Sequence, residues 1–291
     1  MKYIRIIAAG LCVCLLVSLT ACRLSFGKPT QTTEPSGQTQ ATTSEAVTEV
    51  TEAPTVPEDP SPADSIIQLP QPQDIVPLPS VLSVDALVST VPCEDPQWSD
   101  GMGNQVRIPL QIPQFRPFSQ GAIDAQAHLN AQLRPMLDDV AVCKQTNTSP
   151  GITGIRYESF LWKDILSVLV IGDTSFGDIV EYFTYNFDLA TGAWLGSEAL
   201  LHKLGYAYEY YAPRASTAAA ECFYEKYYFF SQDNPDGFAQ EQYDNTVARE
   251  NIDAAQLYLQ QDGSLILVIK IYSLAGADAY VELIDLTPYL V

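Results

Sequence analysis

Residues 28–64 read KPTQTTEPSGQTQATTSEAVTEVTEAPTVPEDPSPAD, with nine Thr, six Pro and seven acidic residues and no aromatic residue, Leu, Ile or Met. Such a stretch cannot bury enough apolar surface to offset the entropy lost on ordering. It therefore divides the chain, confining any hydrophobic core to the residues on its C-terminal side, and is itself expected to be disordered. Residues 65–80, SIIQLPQPQDIVPLPS, keep the proline density and add Ile, Leu and Val. That composition favours an extended, polyproline-like strap able to lie on the domain.

Ahead of this segment, Met1, Lys2 and Arg5 make a short basic start, Ile6 to Ser18 is an apolar run without a charge, and Leu19-Thr20-Ala21-Cys22 comes next. A spanning helix needs about 20 apolar residues. This run has the length of a signal-peptide core and ends in small residues suited to a peptidase. The Leu-Thr-Ala-Cys ending resembles the lipobox of bacterial lipoproteins. That resemblance implies recognition of Leu19, Thr20 and Ala21 by the signal peptidase, diacylglycerol on the sulfur of Cys22, and Cys22 as the mature N-terminus. Acyl chains in pairs give stable anchoring where one is marginal, so the expected location is the outer face of the cell membrane, with the membrane as partner through the lipid. The expected organisation is a signal peptide (1–21), a Thr/Pro/Glu-rich stalk (22–80) and a folded domain (81–291). Roughly 50 residues of coil span about 40 Å root-mean-square, which suits either a spacer through cell-wall material or a plain solubilising linker.

Charge narrows the partners. The whole chain carries 35 acidic against 15 basic residues, a formal −20. Loss of Lys2 and Arg5 with the signal takes it to −22, and residues 93–291 hold 11 Lys and Arg against 26 acids. A surface of this sign cannot neutralise phosphates, so nucleic acid is excluded as a partner.

From Val81 onward the residues alternate strand and helix signals. Val106, Ile108, Leu110 and Ile112 fall on every second residue, the mark of a half-buried strand. Ser119 to Val142 reads as a helix capped by Ser119, with Pro135 placed to kink or shorten it. Strands are expected next at Ile155–Trp162, Ile165–Gly172 and Ile179–Leu189, so closely spaced that antiparallel pairing is favoured. A helix at Glu198–Leu204, capped by Ser197 and ended by Gly205, precedes a Tyr-rich turn, Pro213 and a second helix at about Ser216 to Phe230. The hairpin Ala255–Gln260 and Leu265–Tyr272 turns at Asp262-Gly263, and a last strand is expected at Tyr280–Ile284. The fold class is α+β, an antiparallel sheet with helices packed on it.

The segment Ile112-Pro113-Gln114 to Leu133, with Ala127-His128-Leu129-Asn130, resembles the first part of the extracytoplasmic domain shared by RsiV-type anti-sigma factors and PdaC-type peptidoglycan deacetylases. Tyr185-Asn186-Phe187-Asp188-Leu189-Ala190-Thr191-Gly192, with Ser197-Glu198-Ala199-Leu200-Leu201 after it, resembles its second part, where a strand ends in an aspartate-leucine-x-threonine-glycine turn and leads into a helix. The resemblance runs over roughly residues 105–291. The loop Ala275-Gly276-Ala277-Asp278-Ala279 departs from the expected tyrosine-alanine-x-glycine turn, and neither a sigma-binding segment nor a deacetylase domain is present. What the resemblance implies is therefore the module, with a peptidoglycan component or a basic extracellular protein such as lysozyme as partner, and not either parent's activity.

No catalytic constellation emerges. His128 and His202 stand alone on helices, G-x-S-x-G and H-E-x-x-H are missing, and 26 acids nominate no pair without geometry. No cofactor and no metal site are expected: Gln232 to Gly237 is like a calcium loop but lacks the terminal ligands. Tyr206, Tyr208, Tyr210 and Tyr211 crowd one stretch with Tyr224, Tyr227 and Tyr228 and suit glycan stacking or a protein interface; the favoured reading is the plainer one, in which Tyr224, Tyr227 and Tyr228 make a helix face packed on the sheet. Of the mature cysteines, Cys93 and Cys143 are candidates for one disulfide, with Cys222 left over; all three remaining reduced is the alternative. The sequence thus points to a lipid-anchored binding or sensing module outside the membrane without catalysis. A carboxylate-based cell-wall hydrolase or modifying enzyme is the alternative.

Overall fold

Eight consecutive residues of the strand beginning at Ile165 are buried, so both faces of that strand must be covered. A computed structural model describing residues 61–175, 180–233, 237–274 and 278–290 shows how. The described residues begin with a 3-10 turn at Pro62–Ser65, then α1 (Val84–Leu87), β1 (Val88–Thr90), β2 (Gln97–Ser99), β3 (Gln105–Arg107) and β4 (Pro113–Phe115). Next come α2 (Gln120–Thr146), β5 (Ile152–Trp162), β6 (Ile165–Thr174), β7 (Val180–Asp188), β8 (Ala193–Leu195), α3 (Ser197–Lys203) and α4 (Tyr208–Asp233). Last are α5 (Phe238–Val247), α6 (Arg249–Ala254), β9 (Gln256–Leu259), β10 (Leu265–Tyr272), β11 (Ala279–Asp285) and a 3-10 turn at Thr287–Tyr289.

Two antiparallel sheets, ordered β5-β6-β7-β8 and β11-β10-β9, form the middle of the molecule. Side chains alternate across a strand, and the cores obey that alternation. Leu166, Val168 and Val170 of β6 join Leu129, Leu133 and Leu137 of α2, while Leu169 and Ile171 meet Tyr258, Ile266 and Val268 of the second sheet. The far side of that sheet, with Leu257, Leu259, Leu267 and Ile269, packs under α3, α4 and α6 through Leu200, Leu201, Tyr211, Phe223 and Ile252. The layers run helix, sheet, sheet, helices: an α+β fold, as the strand order implies.

Polar side chains stitch the two sheets at one end. Gln256 accepts from Thr184 N–H at 2.8 Å and donates to Tyr182 O at 3.1 Å, so its amide mimics a strand beside the β7 edge. Asn186 donates to Leu257 O, and Leu259 N–H donates to Ser167 Oγ. Fully paired groups of this kind fix one register between layers where apolar contacts alone tolerate sliding.

Several expectations shift. α2 runs to Thr146 and ends on Asn147 in the left-handed region (φ 55) instead of stopping near Pro135 or Val142. Pro135 is exposed, and Leu133, Leu137 and Val140 on the buried face hold the helix together across it. The expected turn before Pro213 is the start of α4: Pro213 removes one backbone hydrogen bond near the helix N-terminus, and buried Tyr211 and Ala215 flank it. Ser197 is not a cap; it is the first residue of α3 and donates to Ala255 O at 3.1 Å. The expected strand through Val106–Ile112 is regular only at β3, although Ile108, Leu110 and Ile112 are buried and Leu110 bridges Ile155. The Asp262-Gly263 hairpin forms, with Gly263 at φ +91 under the Trp162 indole.

The domain begins earlier than residue 81. Ala63, expected in the disordered stalk, and Ile67 and Leu69 of the strap are buried in the same core as α2. The strap expected at 65–80 lies on the domain, with Val76 N–H donating to Pro117 O and Arg116 to Pro77 O. The remainder of the stalk, residues 22–60, lies outside the described residues, as do the signal segment and Leu19, Thr20, Ala21 and Cys22.

Candidate functional site

Residues three and four apart share a helix face, and α2 carries two adjacent rows at that spacing. Gln126, Asn130, Arg134 and Asp138 form a polar row; Ile123, Ala127, Ala131 and Pro135 form an apolar one. The polar row does the holding. Gln126 is buried, accepts from Phe115 N–H at 2.7 Å and donates to Asn130 Oδ1 at 3.0 Å, tying β4 to the helix. Asn130 donates to Pro70 O at 2.7 Å, Arg134 pairs with Asp64 at 3.4 Å, and Asp138 accepts from Ser61 Oγ and from Ala63 N–H at 2.8 Å. Chain order reverses along the row, so residues 61–70 run antiparallel to α2.

The apolar row is left facing a groove of about 580 Å³. Its opposite wall is Pro70, Gln71, Pro72 and Gln73, and one end is closed by Gln114, Phe115 and Pro117. Of its lining residues only Arg134 and Asp138 are ionisable, and the strap engages both. The lining contains no Ser, Cys, His or Tyr. What it offers is shape, small apolar surfaces and five side-chain amides, the equipment of a binding site.

No family model, curated protein or solved structure matches this chain. The groove therefore stands on its geometry alone.

The residues singled out in the sequence lie elsewhere. Tyr206 and Tyr210 stack with ring centroids 6.1 Å apart, Arg214 sits over Tyr210 at 3.4 Å, and Tyr210 donates to Leu290 O. Tyr208 donates to Asp253 and lies under Arg249; burial, then the Asp253 hydrogen bond, push its hydroxyl up to about 12. Tyr211 is 2% exposed, its hydroxyl meets no partner among the described residues, and burial raises its pKa further. Tyr211 is part of the core that includes α4, Tyr206, Tyr208 and Tyr210 pack half-buried against it, and none of the four lines the groove.

The candidate Cys93–Cys143 disulfide is not formed. All three thiols are free: Cys93 donates to Leu110 O at 3.4 Å, and Cys143 sits 3.7 Å from the Asp139 carboxylate. Each sulfur has a local acceptor other than the other cysteine. His128 is exposed, 3.1 Å from the Tyr185 hydroxyl and beside Trp194, and His202 is exposed in the last turn of α3. Of the calcium-like run, 234–236 lie outside the described residues; among those described, no group of three His, Cys, Asp or Glu is placed to hold a metal ion. Nor is any described helix long and apolar enough to cross a membrane. The groove residues escape a reading of the sequence because an i, i+4 row of Gln, Asn, Arg and Asp looks like a solvated helix face until the strap is seen against it.

Proposed function

We propose that this chain is a lipid-anchored binding or sensing module on the extracytoplasmic face of the membrane, with its ligand seat in the groove between the strap and α2. The observation that carries the reading is the lining: amides, prolines and small apolar side chains, whose two ionisable groups are already engaged. Such a surface holds a ligand and offers no nucleophile or general base to transform it. The sequence supports the placement, since the lipobox-like Leu19-Thr20-Ala21-Cys22 and the stalk present a folded domain at a distance from the bilayer. The resemblance to the RsiV and PdaC module points to peptidoglycan or a lysozyme-like basic protein, and a formal −15 over residues 93–291 would steer a cationic partner toward it.

The reading is tested with the full chain in detergent, titrated with lysozyme and incubated with insoluble peptidoglycan. Saturable capture by either, without released reducing ends or acetate, is expected. Turnover beyond one product per protein molecule would replace the binder with an enzyme, and silence with both would remove the reading. For the anchor, Cys22→Ser is expected to yield an uncut or soluble precursor; unchanged detergent partition with the same mature N-terminus would refute it.

A further inference from the structure

We infer that the outer edge of β11 is an interface on which a second copy of this chain pairs antiparallel; nothing in it depends on the groove. Backbone hydrogen bonds in an antiparallel ladder join every second pair of opposed residues. Ser273 N–H donates to Asp278 O and Leu286 N–H to Leu265 O. On the register of β10 with β11, residues 278, 280, 282, 284 and 286 therefore bond inward to β10. The N–H and C=O groups of Ala279, Val281, Leu283 and Asp285 point outward, and among the described residues they meet no partner.

Other edges are met. Side chains of Asn186 and Ser167 bond to Leu257 O and Leu259 N–H of β9, Gln256 covers β7 at Tyr182 and Thr184, and Pro109 to Gln111 run beside Ile155 of β5. An edge can also be blunted by proline, a bulge or a free charge. Across its seven residues β11 has no Pro, no Gly and no shift in register, and its central charge, Glu282, is held by Lys226 of α4.

The edge is complementary to itself, which selects a second copy as its occupant. A two-fold axis beside Glu282 sets Val281 opposite Leu283, and Ala279 opposite Asp285, of the other copy. All four outward residues then fall in hydrogen-bonded pairs, and the contact is the same for both copies. Side chains alternate across the strand. On the face of Val281, which packs between the sheets, Leu283 is 40% exposed and would be covered by Val281 across the axis. On the face toward α4, Tyr280 meets Ile284. The two Glu282 carboxylates meet at the axis, each with its own Lys226, which also lies 4.6 Å from the Tyr280 ring, so cations and anions alternate there. Charge at longer range opposes the pairing, since each copy carries a formal −15 over residues 93–291. Salt screens that repulsion, with a Debye length of about 10 Å at 0.1 M and about 3 Å at 1 M. The dimer therefore strengthens as salt rises, whereas a basic strand from another protein would be released.

The test is sedimentation equilibrium of the full chain in density-matched detergent, at low and high salt. A reversible dimer is expected, with a dissociation constant about threefold or more tighter at about 0.5 M than at about 0.1 M NaCl. Leu283→Pro removes an outward N–H that the fold itself does not use, and Leu283→Lys sets two cations near the axis from an exposed position. Leu283→Lys should keep the parent Tm within about 2 °C at concentrations where both are monomeric, and both variants should weaken the dimer about tenfold or more. Register is read by Glu282→Cys in a Cys222→Ser background, because Cys222 lies close enough to Glu282 to feel its charge. Opposed residues of a non-hydrogen-bonded pair have Cα atoms about 4.5 Å apart, within disulfide range, so mild oxidation should crosslink this protein and not the Cys222→Ser parent. A monomer at every concentration and salt, a dimer indifferent to Leu283→Lys, a dimer favoured by low salt, or a dimer without the crosslink overturns the inference. So does a chain that stays monomeric while binding a synthetic strand of alternating Lys and Val.

Discussion

A Cβ atom on Gly121 would stand 2.7 Å from the carbonyl oxygen of Gly192 and equally close to Trp194 N. The first turn of α2 thus presses directly on the β7–β8 turn. Ser119 seals the contact, accepting from Ala122 N–H at 3.1 Å as the helix cap and donating to Gly192 O at 2.6 Å. Gly192 itself is at φ +77, and Asp188 shapes the turn by accepting from Ala190 N–H and Gly192 N–H. Gly121→Ala should therefore destabilise the domain by about 2 kcal/mol, the cost of forcing backbones apart, despite the better helix propensity of alanine. Thermal unfolding checks this; an unchanged or raised Tm would show that the contact relaxes freely.

The strap depends on Asp138. Its carboxylate receives both Ser61 Oγ and Ala63 N–H, at the point where the chain arrives from the stalk. Asp138→Ala should loosen residues 61–69 while leaving the sheets intact, because the two bonds to its carboxylate fasten the start of this segment to α2. Limited proteolysis is expected to cut within 61–69 faster in the variant by about tenfold, the factor for loss of a charge-assisted bond worth roughly 1.4 kcal/mol. Equal cutting rates in the two proteins would contradict the latch role.

Acid sensitivity has a named contributor in Asp95, which accepts from Leu110 N–H at 3.1 Å and from the Arg107 guanidinium at 2.8 Å. The backbone hydrogen bond first, and Arg107 next, hold its carboxyl below the usual carboxylate range. A folded pKa below the unfolded value of about 3.9 contributes stability that is complete above that value and is lost as pH falls through the folded one. Asp95→Asn should lower the urea midpoint at neutral pH, and its deficit should shrink on titration from about pH 4 downward. A deficit constant across that range would assign the effect to packing instead.

The thiols give a chemical check. Cys93, Cys143 and Cys222 should all titrate in denaturant without reductant, since none is bonded to another. In the native protein, burial and the neighbouring Glu282 push Cys222 up to about 11, which leaves on the order of one thiolate in a thousand at pH 8. Peptide mapping after native maleimide labelling should find Cys222 the slowest to react relative to its rate in denaturant. A crosslinked Cys93–Cys143 peptide would contradict the structure directly.

The sequence by itself determined the periodic elements and their punctuation. Val168 and Val170, alternating with Leu169 and Ile171, announce β6. Ser119 announces the start of α2, Gly205 the end of α3, and Asp262-Gly263 the β9–β10 hairpin. These are local signals, set by side-chain alternation and by which residues tolerate capping or positive φ. α5 and α6 carry no such signal: their buried face includes Gln242, Thr246 and Asn251, made acceptable inside by bonds such as Asn251 to Lys270 O and Tyr272 N–H to Thr246 Oγ1. A polar face that is buried has no hydrophobic period to read.

The groove was decided by tertiary structure alone. The row Gln126, Asn130, Arg134, Asp138 is indistinguishable in sequence from a solvated helix face, and although the Ile and Leu of residues 65–80 mark a strap able to lie on the domain, they do not say where it docks. Only their meeting turns one into a clasp and the other into a wall. Their partners lie 60 to 77 residues apart in the chain, and pairings over such distances are chosen by the burial of Ala63, Ile67 and Leu69 against a helix that must first be packed on its sheet.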